Sequence, residues 1–366
     1  MTIQFNPARL KLARTRRLLT LKALSEKVGL SARMVSEYEK DYCASSPPEE
    51  TIVAFEQALN YPRKFFLCDN DIESVAPESV SFRSLKSMKA ANQHAAIGAG
   101  SLGLLLDGYL ETKFNLPNID LPDFRNFEPE AAAEALREIW GLGSQSINNM
   151  VHLLEKHGVR VFSLAENTQS VDAFSFWKED KPYVFLNTQK SGERSRMDAA
   201  HELGHLVLHR HGVPQGKDVE IEADKFAYFF LMPRRTMLAI TARNITVDDV
   251  IKIKAQWKTS AMAVIMQMRA VNCITEWHHR SLIIEASRRG LRKTEINGIE
   301  RETTKLLAIL FEQLALDGIE IKDVAEKLAL PIEELTNLIF KVSLINTDQD
   351  KVIISKPRRP NLKLVE

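Results

Sequence analysis

The sequence predicts a multidomain protein with an all-α N-terminal domain, a mixed α+β domain and a mainly helical C-terminal region. The length of 366 residues exceeds the roughly 100–200 residues of one typical domain. Residues 1–70 are short amphipathic segments rich in Arg and Lys, and strand-like segments occur between residues 130 and 240. We therefore place the domains at 1–70, 130–240 and 241–366, with a helical joining region at 71–129.

The overall composition indicates a cytoplasmic protein. Apolar residues make up 45% of the chain and charged residues 27%, which is typical of globular domains. The formal net charge is only +1, so a basic surface for nucleic acid must be local. No apolar run reaches the roughly 18 residues of a membrane helix, and we expect no membrane contact. The three cysteines form no C-x-x-C pair, which argues against a disulfide framework and a cysteine-type zinc site.

The N-terminal domain is predicted to contain four helices, at residues 7–17, 21–28, 32–38 and 48–59. Thr20 and Ser31 suit the N-caps of the second and third helices, because a hydroxyl accepts a hydrogen bond from a free backbone amide. Gly29 suits the tight turn between them. The predicted core consists of Leu21, Leu24, Val28, Val35 and Tyr38. Residues 7–67 resemble a helix-turn-helix domain of the lambda-repressor/Cro type, whose third helix enters a major groove.

The local charge of this segment favours binding to double-stranded DNA. Between Arg9 and Lys40 there are nine basic and three acidic residues, a local net charge of +6, which suits contacts with phosphates. Arg33 is the best candidate for reading a guanine, because its guanidinium matches the O6 and N7 acceptors. The predicted DNA contacts are Ala32, Arg33, Ser36 and Glu37 at base edges, and Ser31 and Lys40 at the backbone. The alternative is a helical cap with a solvated basic face.

The elements of the two remaining domains are predicted from hydrophobic periodicity and from the positions of proline and glycine residues. Helices are expected at residues 130–140, 146–157, 195–211 and 219–231, and strands at 159–164 and 183–186. No internal repeat is evident. Residues 317–328 weakly resemble a second helix-turn-helix, but they lack a basic excess, so we predict that they pack against protein.

The strongest single motif is His201-Glu202-Leu203-Gly204-His205. Residues four apart lie above one another on a helix, so His201 and His205 can bind one Zn²⁺ from the same face. Glu202 is placed to act as general base on the metal-bound water. The alternative is an ordinary helix that carries two core or surface histidines.

A catalytic zinc usually has three protein ligands, so a third ligand is required. His211 is one candidate, because it lies at the metzincin distance, but Leu208 replaces the glycine of that motif. His209 is a second candidate, but it is two turns along the same helix, too far to join one tetrahedral site. We prefer a carboxylate from the helix at 219–231. Steps of about 100° place Glu220 and Asp224 on one side of the helix and Glu222 on the opposite side, which is predicted to be a packing surface or a rim. Glu220 is then the third ligand, and Asp224 supports a ligand histidine by a hydrogen bond.

A resemblance to a known family rests on several segments together. They are the run RSRMDAAHELGHLVLH (residues 194–209), E-x-E-A-D-x-F-A (220–227), Leu231-Met232-Pro233, and the segments 171–175, 186–187 and 81–84. These segments resemble the ImmA/IrrE family of zinc metallopeptidases. The resemblance implies an α+β, zincin-like core with Glu202 as catalytic base. Members of the family act in phage, mobile-element or stress regulation, some by cleaving a repressor partner.

The sequence therefore predicts a DNA-binding transcription regulator fused to a zinc metalloendopeptidase. Its expected partners are an operator, bound by a homodimer, and a protein substrate such as a repressor or antitoxin-like protein. The alternative function is a ligand-sensing regulator whose pocket binds a small molecule without cleavage. A third interpretation is an antitoxin-like protein whose C-terminal helices hold a toxin. Arg194 and Arg196 are candidates for binding a substrate carboxylate, and Phe176, Trp177 and Tyr183 for lining a cleft, although core packing is the alternative for these aromatic residues.

Overall fold

The computed structural model describes residues 4–40, 46–68, 72–76, 80–82, 90–164, 173–210, 216–240 and 244–342. Among these residues, no helix is both long and apolar enough to cross a membrane. Several positions named above lie outside the described residues. They are Cys43, His211, residues 83–84, residues 171–172 and all of residues 343–366.

The described part of the N-terminal domain contains α1 (Pro7–Arg16), α2 (Leu21–Val28), α3 (Ala32–Tyr38), α4 (Glu49–Leu59) and α5 (Arg63–Phe66). The predicted caps are confirmed, since the side chains of Thr20 and Ser31 accept hydrogen bonds from the amides of Ala23 and Met34. Gly29 ends α2 with φ +68°, in the left-handed region that glycine adopts without strain. The four-residue helix α5 was not predicted, because it is too short to show a period.

The core of this domain is larger than the predicted set. Leu24 and Val35 are fully buried and Tyr38 nearly so, whereas Leu21 and Val28 are only half-buried. Much of the remaining volume is filled by phenylalanine rings that contact each other or Tyr38, namely Phe5, Phe55, Phe65 and Phe66. These rings come from the residues before α1 and from α4 and α5, outside the segment from which the core was predicted.

A four-stranded sheet lies at the centre of the second domain. Its strands are β1 (Ser81–Phe82), β2 (Arg160–Leu164), β3 (Ala173–Lys178) and β4 (Lys181–Asn187), in the order β1-β3-β4-β2. β3 pairs antiparallel with both β1 and β4, whereas β2 and β4 are parallel. The residue pattern of the sequence predicted β2 and β4 but not β3. The family resemblance covered only the start of β3, at residues 173–175.

The sheet is covered by helices on both faces. One face packs against α6 (Ala90–Glu111), where a Cβ at Gly103 would come within 2.5 Å of the Phe185 ring, so only glycine fits. The other face packs against α9 (Gly192–Leu208), the helix that carries the HELGH segment. Trp177 on β3 donates a hydrogen bond to the Leu206 carbonyl of α9. Residues 90–111, predicted only as a helical part of the joining region, therefore share the core of the sheet.

Two further helices complete the surroundings of α9. α7 (Pro129–Ile139) and α8 (Met150–Lys156) precede the sheet, and α10 (Lys217–Leu231) packs along α9. The helix α9 begins three residues earlier than predicted, because the Ser191 side chain accepts a hydrogen bond from the Arg194 amide. A Cβ at Gly204 would lie 3.3 Å from the Ala223 backbone. Gly204 and Ala223 therefore allow α9 and α10 to approach closely.

The C-terminal region is helical and divides between two cores. Its helices are α11 (Arg234–Leu238), α12 (Val247–Trp257), α13 (Ala261–Ala270), α14 (Glu276–Arg288), α15 (Leu306–Leu316), α16 (Ile321–Leu328) and α17 (Ile332–Leu338). The apolar residues of α12 to α14 belong to the cluster that includes α9 and α10. The apolar residues of α15 to α17 belong to the cluster that includes the N-terminal domain and the face of the sheet that packs against α6.

The helices α16 and α17 repeat the geometry of α2 and α3. Each pair has helices of eight and seven residues, and the turn begins at Ala329 with φ +55° where α2 ends at Gly29. The weak resemblance of residues 317–328 to a helix-turn-helix therefore agrees with the helix lengths and with the turn between the helices. Residues 306–340 contain seven acidic and two basic residues, the opposite balance to the N-terminal domain, which disfavours contact with phosphates.

The helix pair α16–α17 packs against the N-terminal domain, and the sequence predicted that this segment packs against protein. Glu334 on α17 is buried and lies 2.7 Å from Arg16 and 3.3 Å from Arg17. The Tyr61 hydroxyl donates a further hydrogen bond to the same carboxylate over 3.0 Å. Arg16 and Arg17 were counted among the bases available to DNA, and the structure uses both to hold the C-terminal helices.

Candidate metal centre and DNA-binding surface

The two histidines of the HELGH segment converge on one point beside α9. Their Nε2 atoms are 3.0 Å apart, and both side chains are buried. This is the arrangement expected for histidines four residues apart on a helix.

Glu220 on α10 reaches the same point from the neighbouring helix. Its carboxylate oxygens lie 3.3 Å from Nε2 of His201 and 3.5 Å from Nε2 of His205. Donor atoms at about 2.0–2.1 Å from a tetrahedral zinc lie about 3.3 Å from each other, so the three spacings fit one zinc ion. Among the described residues, His201, His205 and Glu220 form the group able to hold a metal. Their role as ligands stays a prediction that the geometry supports.

The charge states of this group suit metal binding. Burial lowers the pKa of His205 to about 4, so its ring is neutral at pH 7, the form that binds metals. Burial alone would raise the pKa of Glu220, but hydrogen bonds to His201 and His205 hold it far below its usual range. The site therefore offers the neutral imidazole of His205, the imidazole of His201 and the carboxylate of Glu220, and a zinc bound by these three groups would keep a position for water or substrate.

Glu202 is completely buried beside the metal ligands. The Ser175 hydroxyl, on β3, donates a hydrogen bond of 2.6 Å to Oε2, whereas Oε1 has no hydrogen-bond partner among the described residues. Burial raises the pKa of Glu202 to about 7, against the opposing effects of His201 and Ser175. The contact with Ser175 was not foreseen, because it joins residues 27 positions apart in two different elements.

The outer nitrogens of the two histidines have different partners. Nδ1 of His201 lies 2.9 Å from Oδ1 of Asp224, where the helix phase of α10 predicts it. Nδ1 of His205 lies 3.1 Å from Nδ1 of His209, and Nε2 of His209 lies 2.9 Å from the Glu222 carboxylate. His209 therefore sits behind His205, away from the metal-facing nitrogens.

Glu222 lies at the rim of α10, one of the two surroundings that the helix phase predicts for it. Its carboxylate is half-exposed and contacts His209. The helix phase correctly separated Glu222 from Glu220. It could not show that the last turn of α9 would bring His209 into contact with Glu222.

The two arginines at the start of α9 have separate surroundings. Arg196 is fully buried, where it forms an ion pair with Glu302 and donates to the Ile147 carbonyl. It is therefore not accessible to a substrate carboxylate, and that expectation is wrong for this residue. Arg194 is exposed. Glu302 lies more than a hundred positions away in sequence, so no local pattern could reveal this pair.

The aromatic candidates for a cleft are largely core residues. Phe176 and Tyr183 are buried and stack on one another at 5.2 Å between ring centroids, on the face of the sheet towards α6. Trp177 is half-buried on the opposite face, and the Arg210 guanidinium lies 4.0 Å over its ring.

The predicted DNA contacts lie on an accessible surface of α3. Side chains at Ser31, Ala32, Arg33, Glu37 and Lys40 are exposed, and Ser36 is half-buried. Lys40 forms an exposed ion pair with Glu37 over 2.7 Å. Arg33 has no ion-pair partner in the described part of the chain, so its guanidinium is accessible to a base edge. The contacts themselves stay predictions.

The basic surface is smaller than the local charge suggested. Arg9 is buried against the Phe65 carbonyl and ring, and Arg14 is paired with Glu39. With Arg16 and Arg17 held by the C-terminal helices, the exposed bases of this segment are Lys11, Lys22, Lys27, Arg33 and Lys40. Counting charges along the chain overestimated the field because it could not distinguish these from the arginines used in packing.

Comparison with known families supports both the helix-turn-helix domain and the domain that carries the HELGH segment. A helix-turn-helix family matches residues 10–66, and the IrrE N-terminal-like domain, a peptidase family, matches residues 154–269. No curated protein matches the chain. The chain is therefore a helix-turn-helix protein that carries a domain of a metallopeptidase family. Within that class, it combines an N-terminal DNA-binding domain with a domain of the ImmA/IrrE type, as the sequence predicted.

Proposed function

We propose that this protein is a DNA-binding regulator that cleaves a protein partner at a zinc centre. In this proposal His201, His205 and Glu220 hold the zinc, which supplies an electrophile that polarises the scissile carbonyl and the attacking water. The observation that carries the proposal is the convergence of these three side chains within 3.0–3.5 Å beside the buried carboxylate of Glu202.

Glu202 is the residue that moves protons in the proposed reaction. Its Oε1 is free to accept a proton from water, while Ser175 fixes Oε2 by a hydrogen bond. The same carboxylate would accept this proton and then return it to the leaving amine. Asp224 holds the ring of His201 by accepting a hydrogen bond from its outer nitrogen.

The substrate in this proposal is a repressor or an antitoxin-like protein, in a phage, mobile-element or stress response. The union of a DNA-binding domain and a peptidase-family domain in one chain supports this proposal. The exposed Arg33 on α3 and the exposed Lys40 just after that helix would bind an operator, with two copies reading the two halves of a palindromic site. A protein that binds operator DNA works in the cytoplasm.

A second candidate function is favoured by one observation. Glu202 is fully buried, so a peptide reaches its carboxylate only if the covering elements move. A regulator that uses the metal site to sense a small ligand, without cleavage, requires a narrower opening than a peptide does. The intact Glu202 favours cleavage, because a site used only for binding has no need of a base beside the metal.

Trapping and cleavage decide between the two candidates. Tagged full-length protein with Glu202→Gln is purified from its own cells together with any bound partner. Zinc-loaded unaltered protein is then added, with and without a chelator, and fragments are identified by mass spectrometry. Cleavage of a captured partner that requires zinc and is absent with Glu202→Gln alone supports the proposal. Intact partners with zinc-loaded protein would favour the sensing function.

A further inference from the structure

The outer side of His205 is held by a chain of two hydrogen bonds that ends at the surface. Nδ1 of His205 is 3.1 Å from Nδ1 of His209, whose Nε2 is 2.9 Å from the carboxylate of Glu222. His205 and His209 are mostly buried, whereas about half of the Glu222 side chain is exposed. We propose that His209, anchored by Glu222, is the positioning residue that fixes the ring of His205 for zinc; this inference rests on the zinc site proposed above.

The two contacts specify one set of proton positions. Nε2 of His205 faces the site, so the neutral ring carries its proton on Nδ1 and donates it to Nδ1 of His209. His209 then carries its own proton on Nε2 and donates it to Glu222. Each ring nitrogen then has one role, and a ligand histidine normally requires such a partner to fix its tautomer and orientation.

The chain also gives a role to each acidic residue of the E-x-E-A-D segment on α10. Glu220 lies at the metal-facing nitrogens, and Asp224 accepts directly from the outer nitrogen of His201. Glu222 lies on the other side of the helix and reaches His205 only through His209. The two ligand histidines are thus supported differently, His201 by a carboxylate and His205 by the imidazole of His209.

The geometry of the helix end makes this arrangement possible. α9 ends at Leu208, and His209 is its C-cap, with its amide donating to the His205 carbonyl. This leaves the His209 ring 5.2 Å from the His205 ring, between α9 and the exposed side of α10. A residue in this position can set the direction of His205 without touching the metal.

Zinc affinity of the full chain tests the inference. His209→Phe keeps an aromatic ring but removes the acceptor, and the zinc dissociation constant, measured by chelator competition, is expected to rise about 10- to 100-fold. His209→Asn retains an acceptor where Nδ1 was, so it should recover most of the affinity. The absorption bands of the cobalt-substituted protein should change with His209→Phe and return with His209→Asn. Arg210→Ala, at the same helix end, is the matched control and should leave both unchanged.

Other outcomes are equally clear. Unchanged zinc affinity and cobalt spectra with His209→Phe would overturn the inference while leaving the proposed function intact. Equal losses with His209→Phe and His209→Asn would also overturn it, because the ring would then act only by packing. If metal-free His209→Phe fails to melt cooperatively, Glu222→Ala is used in its place. Glu222→Ala is expected to lose less zinc affinity than His209→Phe. An unchanged zinc affinity in Glu222→Ala would contradict the proposed chain of hydrogen bonds. An unaltered protein that binds no zinc would overturn the proposed function itself.

Discussion

Replacing Glu334 by alanine removes the charge that joins the C-terminal helices to the DNA-binding domain. The side chain is 3% exposed and contacts two arginines and one tyrosine. Without it, the hydroxyl of Tyr61 loses its acceptor in a buried position, and the guanidinium groups of Arg16 and Arg17 lose their counter-charge. Both arginines keep a backbone partner, since Arg16 donates to the Ala95 carbonyl and Arg17 to the Leu59 carbonyl.

These contacts set the size of the expected effect. Removing one partner of a buried ion pair costs about 3–5 kcal/mol, and the remaining carbonyl partners place this case near the lower value. A loss of about 3 kcal/mol raises the population of the undocked α17 about 150-fold, because each 1.4 kcal/mol is a factor of ten. Hydrogen exchange at the amides of α17 should accelerate by that factor in Glu334→Ala.

Glu333→Ala is the matched control, because Glu333 is the adjacent residue of the same type and is exposed. Its exchange rates should equal those of the unaltered protein. Burial alone would raise the pKa of Glu334, but Arg16 and Arg17 lower it below its usual value. The stabilisation is therefore complete above the ordinary glutamate pKa of about 4.3 and declines as the pH falls below it. Equal exchange in the two variants at pH 7 would refute this account of the interface.

Four other variants test DNA binding and the helices of the metal site. Arg33→Ala should cost about 1–3 kcal/mol in gel-shift titrations and relax the preference at one base pair. Lys40→Ala should weaken binding to all sequences and flatten its salt dependence, and full binding by a chain lacking residues 1–70 would contradict both. Gly204→Val places a Cβ 3.1 Å from Phe226 and should lower stability by about 1–3 kcal/mol in thermal unfolding. Asp224→Ala should reduce zinc affinity about 10- to 100-fold, and undiminished affinity would refute its support of His201.

Local features of the chain could be predicted from the sequence. The caps at Thr20 and Ser31 and the spacing of His201 and His205 depend on residues three or four positions apart, and a helix fixes their relation. The position of Glu220 relative to Glu222 also follows from helix geometry alone. Helix geometry could not show that α10 packs against α9, so Glu220 was joined to the two histidines only by preferring a carboxylate from a second helix as the third ligand.

The features that were missed depend on tertiary contacts. Ser175 meets Glu202 only because the sheet packs on α9, and Arg196 meets Glu302 across more than a hundred residues. Arg16 and Arg17 look like DNA-binding bases along the chain, whereas the fold brings Glu334 to them. Charge and residue type are visible in a sequence, but the partner that neutralises a charge is not.

Metal analysis of three purified full-length proteins tests the central claim most directly. The unaltered protein and Glu202→Gln are expected to contain about one zinc per chain, because Glu202 acts as base rather than ligand. Glu220→Ala should lose most of the metal, since it leaves only two protein ligands. Zinc retained by Glu220→Ala, or lost from Glu202→Gln, would contradict the assignment of ligands and base.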